Sequence, residues 1–389
     1  MRKVYLDNAA TTILNGEVLQ SMMPYFTDIY GNSSSLHSFG RQAVSAVDNA
    51  RDIVARCIGA KSNEVYFTSG GTEANNWALR GVAYANKTKG KHIITSSIEH
   101  HSVLDTCKQL ESEGFEVSYL PVDSTGLVSI SALLHELKPT TTLVSIIAVN
   151  NEIGTIQNLK AISEITKFYG INFHVDAVQA LGNMPLNVNE LGIDLMSISA
   201  HKIHGPKGAG ALYVRKGVKI NKFMIGGEQE MNKRGGTQNV PAIVGFGKAC
   251  ELNARDLSVK DKKMFELSTY FMNKIEYEIE GVKFNGNPYQ KANGIVSVTF
   301  DGVEGENLVM LLDMRGVAVS TGSACASGSL EKSHVLSAIG LSDSQIRGTI
   351  RFSFDVNNTR DDIDYAVRVI CEEVEKLRKA SPLKKKKEK

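Results

Sequence analysis

Short apolar runs recurring at the spacing of strand–helix–strand units constrain this chain more than any other feature. Val65-Tyr66-Phe67-Thr68, His92-Ile93-Ile94-Thr95, Val117-Ser118-Tyr119-Leu120 and Leu143-Val144-Ser145-Ile146-Ile147 come in succession. Asn172-Phe173-His174-Val175, Leu195-Met196-Ser197-Ile198 and Ala211-Leu212-Tyr213-Val214 follow. Between several of them lie stretches with apolar residues at helical spacing, such as Leu159–Tyr169. Continuous apolar strands alternating with helices predict an α/β fold whose mostly parallel sheet is covered on both faces. Residues 241–277 read as helical and lead into strands at 294–300, 317–320 and 349–354, with a closing helix at 361–378. A chain of 389 residues exceeds the usual single domain. The expected division is a large domain over 15–255, a smaller α/β domain of 1–14 with 256–378, and a basic tail at 379–389.

Charge narrows the class of function. The 44 basic and 42 acidic residues leave a net charge of +2, without the basic excess of a dedicated nucleic-acid binder. The run Lys384-Lys385-Lys386-Lys387 reads as a solvated tail, with weak steering of an acidic or RNA partner as the alternative. No apolar run approaches the ~18 residues that span a bilayer, and Met1-Arg2-Lys3-Val4-Tyr5-Leu6-Asp7 does not resemble a secretory signal. Five cysteines, an odd number without metal-ligand spacing, make neither a disulfide framework nor a metal site. The expectation is a cytoplasmic protein with reduced thiols and no membrane partner.

Open parallel sheets bind ligands beyond the carboxyl ends of their strands, so the polar residues there are the candidates. Ser69-Gly70-Gly71-Thr72-Glu73 follows one strand and enters a helix, a turn whose backbone suits an anion. On its own, a glycine turn before a helix is common. Glu99-His100-His101, Asn150-Asn151-Glu152, Asp176 with Gln179, and Ser199-Ala200-His201-Lys202 follow four others. Singly, such residues are ordinary helix caps or solvated groups. Together they match what pyridoxal phosphate needs: a lysine amine for its aldehyde, a carboxylate to keep its ring nitrogen protonated, a ring to stack on it and an anion cup. Lys202, Asp176, His100 and the Gly71-Thr72 turn are those four.

At the same residues the chain resembles the cysteine desulfurases, of the class V aminotransferase family. The likeness is carried by Tyr5-Leu6-Asp7-Asn8-Ala9-Ala10-Thr11-Thr12, Val149-Asn150-Asn151-Glu152-Ile153-Gly154, His174-Val175-Asp176-Ala177-Val178-Gln179 and Ser199-Ala200-His201-Lys202-Ile203-His204-Gly205-Pro206-Lys207-Gly208. It implies a fold-type I pyridoxal-phosphate transferase acting as a homodimer. By this resemblance Lys202 would carry the cofactor as a Schiff base, His100 would stack on the ring, Asp176 would pair with the ring nitrogen and Gln179 would bond the phenolic oxygen. Asn151 would lie by cofactor and substrate, and Gly71, Thr72, Ser199 and His201 would hold the phosphate. Thr237, in Arg234-Gly235-Gly236-Thr237, resembles the position that reaches the neighbouring subunit's phosphate. Arg351 resembles the clamp on the substrate carboxylate, which a guanidinium matches bidentately; a structural ion pair is the alternative.

Cys57, Cys107, Cys250 and Cys371 sit in helical stretches and read as small hydrophobes. Cys325 lies in Ser320-Thr321-Gly322-Ser323-Ala324-Cys325-Ala326-Ser327-Gly328-Ser329, a run of small residues that resembles the long-loop desulfurases of the NifS and IscS types. Attack of its thiolate on the sulfur of L-cysteine would leave L-alanine and a persulfide on Cys325. The expected partners are L-cysteine and a sulfur acceptor, an iron–sulfur scaffold or a tRNA-thiolation carrier, with a passing cluster contact at Cys325 left open. Rival readings are a selenocysteine lyase or another class V enzyme, and a non-catalytic sulfur-carrier scaffold. Three positions depart from the family: Ser33 stands where proline is common, Gly71 where alanine is, and Gly235 where serine is.

Overall fold

The structure, a computed structural model, describes residues 2–322 and 332–380. Cys325 and the Lys384-Lys385-Lys386-Lys387 run lie outside the described residues. The strands are β1 (Val4–Tyr5), β2 (Val65–Thr68), β3 (His92–Ser96), β4 (Glu116–Leu120), β5 (Thr141–Ile147), β6 (Asn172–Asp176), β7 (Leu195–Ser199) and β8 (Gly210–Val214), then β9 (Val282–Asn285), β10 (Ile295–Phe300), β11 (Val317–Ala318), β12 (Ser320–Thr321) and β13 (Thr349–Ser353).

Strands β2 to β8 form a seven-stranded sheet in the order β2-β8-β7-β6-β5-β3-β4. Neighbours from β4 across to β7 pair in parallel, while β8 runs antiparallel to β2 and β7. The α/β class expected from the apolar runs is therefore the observed one. Every residue of β3, β5, β7 and β8 is buried, as a sheet covered on both faces requires. Ile94, Val144, Val175 and Ile198 share one core with Val47, Val54 and Phe246 from helices Ser38–Cys57 and Val240–Glu278. Ile93, Leu143 and Leu195 share another, on the side of helices Gly71–Asn86 and His101–Ser112, with Trp77, Val82, Val103 and Leu110.

The second sheet is antiparallel, in the order β12-β13-β10-β9, and β1 pairs in parallel with β11. Its core gathers Val296, Val298 and Phe352 with Leu308 and Leu312 of helix Gly305–Met314 and Ile363, Val367 and Ile370 of helix Arg360–Ala380. The 39-residue helix Val240–Glu278 serves both cores. It starts at Asn239, whose side chain accepts from Ala242 N, with Pro241 in the first turn. Val240, Phe246 and Cys250 pack against the large sheet; Met264, Leu267, Phe271 and Ile275 pack against the small one.

Candidate active site

The carboxyl ends of β2, β3, β6 and β7 open on a cavity of about 330 Å³ lined by Gly71, His100, Asn151, Asp176, Gln179 and Lys202, among others. That volume suits a small cofactor. The register puts Ile147 of β5 level with Asp176 of β6, so adjacent strands deliver their last residues to one rim.

Gly70 has φ 156°, in a backbone region used essentially by glycine alone. Its backbone lies so near β8 that a Cβ on Gly210 would stand 2.7 Å from Gly70 Cα. Helix Gly71–Asn86 begins here, with Thr72 also lining the cavity. A Cβ on Gly71 would meet Val178 Cγ2 at 2.5 Å, a steric reason for glycine at this position. Gly235 has a similar reason, since a Cβ there would stand 3.0 Å from Gly226 Cα. The departure at Ser33 has no comparable account.

Asp176 ends β6 and is 3% exposed. Its Oδ1 accepts from Val178 N (3.0 Å) and its Oδ2 from Asn75 Nδ2 (2.7 Å). His100 is the N-cap of helix His101–Ser112, and its Nδ1 accepts from Ser102 N at 3.1 Å. Burial lowers the His100 pKa; the charge of Asp176 opposes this and that of Lys202 adds to it. Lys202 stands in the short helical turn Ala200–Lys202 after β7. Its Nζ donates to the carbonyls of Ala9 and Ala10, so the Asn8-Ala9-Ala10-Thr11 segment cradles the amine. His201 Nδ1 lies 3.2 Å from Thr11 Oγ1, and burial pushes the imidazole down to about 4, with Lys202 and Lys207 adding to it.

Asn150 and Asn151 divide their labour. Asn150 is fully buried, and its Oδ1 accepts from Glu152 N and Ile153 N, shaping a turn that closes at Gly154 with φ 74°. Asn151 lines the cavity and accepts at its carbonyl from Arg351 Nη1 (3.0 Å). Arg351, on β13, is 1% exposed, and its Nη2 donates to Asp7 Oδ1 at 2.8 Å. Two more buried acids lie beside the cavity residues. Burial pushes Glu99 up to about 8, against hydrogen bonds from Ser96 Oγ (2.5 Å) and Ile147 N (2.8 Å). Glu152 is pushed up to about 7 by burial, although Ser333 Oγ donates to it at 2.6 Å.

Two sequence candidates stand apart from the cavity. Ser199 is 1% exposed and turns its hydroxyl toward Ala209 O at 3.5 Å. Thr237 is exposed, on a segment held by the Arg234–Glu73 ion pair (2.6 Å). Sequence reasoning passed over Asp7, Ala9, Ala10, Asn75 and Ser102. Asn75 had a signal: an amide between Ala74 and Ala78 on the apolar face of its helix. Of the four described cysteines, none lines the cavity.

The donor set fits pyridoxal phosphate on observations independent of its origin. Gln179 Oε1 and Arg351 Nε are buried without a hydrogen-bond partner in residues that line the cavity. A bound cofactor or substrate would give these groups a partner. An amine, a carboxylate and an imidazole converge there with them.

The family described as aminotransferase class-V matches residues 4–366. The chain is 51% identical over 383 residues to "Cysteine desulfurase IscS" of Dictyoglomus turgidum, covering 98% of this chain and 97% of that one. Among solved structures it is similar to a "NifS-like protein", with a TM-score of 0.91 and 38% identity over 96% of this chain and 100% of that one. It is also similar to "SspA in complex with cysteine", with a TM-score of 0.82 and 36% identity over 92% of this chain and 100% of that one.

Proposed function

The chain belongs to the class-V aminotransferase family and, within it, to the cysteine desulfurases, and from that membership we propose that it moves sulfur from L-cysteine to Cys325 and releases L-alanine. The observation that carries the reading is the convergence of Lys202, Asp176 and His100 on one cavity that Arg351 also lines.

Lys202 would bind the aldehyde carbon of pyridoxal phosphate, Asp176 would hold its ring nitrogen protonated, and Gln179 would answer its phenolic oxygen. His100 would lie over the ring, with Asn151 beside cofactor and substrate. Gly71, Thr72 and His201 would hold the phosphate, joined by Thr237 of a neighbouring subunit; Ser199, its hydroxyl turned toward Ala209 O, would reach the phosphate only after rotating its side chain. When bound, the cofactor supplies an electron sink for bonds to the substrate's α-carbon. Arg351 would take the substrate carboxylate in its fork. The Lys202 amine would accept the α-proton at Nζ, and His100 would hold a proton at the ring edge. The Cys325 thiolate would attack the substrate sulfur, so that an S–S bond forms as the C–S bond breaks and the electron pair passes to the carbon fragment.

A homodimer is supported by large apolar side chains left exposed at Ile13, Phe26, Tyr30, Leu36 and Ile225. The two-domain division, 15–255 against 1–14 with 256–378, is supported by the separate cores on the two sheets. Among the described residues no helix is long and apolar enough to cross a membrane, and the four described thiols are unpaired, which supports a cytoplasmic setting. An iron–sulfur scaffold is the preferred sulfur acceptor, ahead of a tRNA-thiolation carrier.

The test is Cys325→Ala. The variant keeps the visible absorbance of bound pyridoxal phosphate, yet forms no protein persulfide and no alanine from cysteine. Undiminished persulfide formation overturns the assignment of Cys325.

A further inference from the structure

The side chains of Asp176 and His100 are joined by two residues outside the roles given above. Asp176 Oδ2 accepts from Asn75 Nδ2 at 2.7 Å, and the same amide nitrogen lies 2.9 Å from Ser102 Oγ. Ser102 Oγ in turn lies 2.8 Å from His100 Nδ1. Asn75 and Ser102 are 1% and 8% exposed, so these bonds are largely shielded from bulk solvent.

The direction of each bond follows from the first. A carboxylate only accepts, so the Asn75 side chain must turn its NH₂, and not its oxygen, toward Asp176. One amide hydrogen goes to Asp176 and the other to Ser102 Oγ. With its oxygen accepting from Asn75, the Ser102 hydroxyl is left to donate to His100 Nδ1. The backbone amide of Ser102, which can only donate, reaches the same Nδ1 at 3.1 Å. Two donors aimed at one ring nitrogen require a lone pair there.

We propose that Ser102 is a positioning residue whose hydroxyl, oriented through Asn75 by Asp176, holds His100 as the neutral imidazole with its proton on Nε2. The ring edge left to the cavity is then an N–H hydrogen-bond donor, and His100 meets the reacting groups with that N–H and not with a lone pair. Protonating Nδ1 would set an N–H against two other donors. Of the charged and titratable groups around the ring, Lys202 from the turn after β7, His101 on its own helix and His334 disfavour its protonation as the relay does, while Asp176 from β6 and Asp105 on its own helix oppose it. Burial of the ring works in the same direction as the relay.

This inference rests on the reading of His100 as a ring facing the cofactor, but its test does not depend on turnover. In holoenzyme labelled with ¹⁵N-histidine, His100 is assigned by comparison with His100→Gln. The wild-type ring shows a protonated Nε2 and a pyridine-like Nδ1, and titrates below an ordinary histidine. Ser102→Ala moves the Nδ1 signal toward the average of two tautomers and raises the midpoint by roughly half a pH unit to one unit. Ser102→Thr, which keeps the hydroxyl, restores both. A Ser102→Ala ring that matches wild type in tautomer and midpoint overturns the proposal. A wild-type protein with this Nε2–H signature that makes no alanine from cysteine overturns the activity reading instead and leaves the relay standing.

Discussion

The guanidinium of Arg351 already holds a carboxylate: its Nη2 donates to Asp7 Oδ1 across 2.8 Å, while Nη1 donates to the carbonyl of Asn151. Nε is left without a partner. Asp7 lies between β1 and the Ala9-Ala10 carbonyls that receive Lys202, so one short segment sets both the clamp and the amine. Asp7→Asn keeps the shape and removes the charge that orients Arg351. The expected outcome is a KM for L-cysteine raised by about tenfold or more, as for loss of one partner of a buried charge pair, with the cofactor band unchanged. Steady-state alanine formation measures it. A folded Asp7→Asn enzyme with wild-type KM shows that Arg351 is placed without Asp7.

Gly71 and Val178 form a second testable pair. Because an added Cβ would press on a β-branched side chain at 2.5 Å, Gly71→Ala is an overpacking change costing about 1–3 kcal/mol. It weakens cofactor retention, read by absorbance after dialysis. Val178→Ala in the same chain removes the clash, so the double variant retains more cofactor than Gly71→Ala alone. Additive losses in the two variants count against the steric account.

Glu99 gives the stability a pH slope of predictable sign. Its carboxyl titrates near 8 when folded and near 4.5 when unfolded, because burial disfavours its charge. The folded state therefore binds the proton more tightly, and the group's contribution, complete below about pH 4.5, is lost as pH rises through 8. Glu152, raised to about 7, acts with the same sign. Replacing Glu99 with Gln should give urea midpoints close to wild type at pH 5 and above it at pH 8. Parallel curves for the two proteins would show that Glu99 is ionised in the fold.

The exposed apolar residues make a prediction about assembly. Leu36 and Ile225 are 91% and 93% exposed. Leu36→Asp together with Ile225→Asp should convert dimer to monomer in light scattering. If Thr237 completes a neighbour's phosphate site, cofactor retention falls in the same variant. A dimer that survives both charges moves the interface elsewhere.

The sequence was most readable where packing is local. Runs such as Leu143-Val144-Ser145-Ile146-Ile147 announce strands buried on both faces, and the strands read between residues 65 and 214 appear in the large sheet. β1 and β9 were not anticipated. They are two and four residues long, and β1 finds its partner in β11, at Val317, which no local pattern encodes. The same contrast holds in the cavity. Lys202, Asp176 and His100 each follow a strand and could be listed from order alone. Asp7, Asn75 and Ser102 act through partners distant in the chain: Arg351, Asp176 and Asn75. Ser199 shows the converse, since its place beside Lys202 suggested an anion ligand while its hydroxyl turns toward Ala209 O.

The helix Val240–Glu278 carries a mechanical consequence. At 1.5 Å per residue its 39 residues form a beam about 58 Å long, and between Leu252 and Met264 none of its residues is buried. Flexing is therefore least resisted at mid-span, where a 5° bend displaces either end by about 2–3 Å. Phe271, on the far half, packs its ring 4.7 Å from that of Phe352, the neighbour of Arg351. A bend at mid-span would thus carry Arg351 with the far half, and the Asp7-Asn8-Ala9-Ala10 segment that bonds both Arg351 and Lys202 is the tie that resists it.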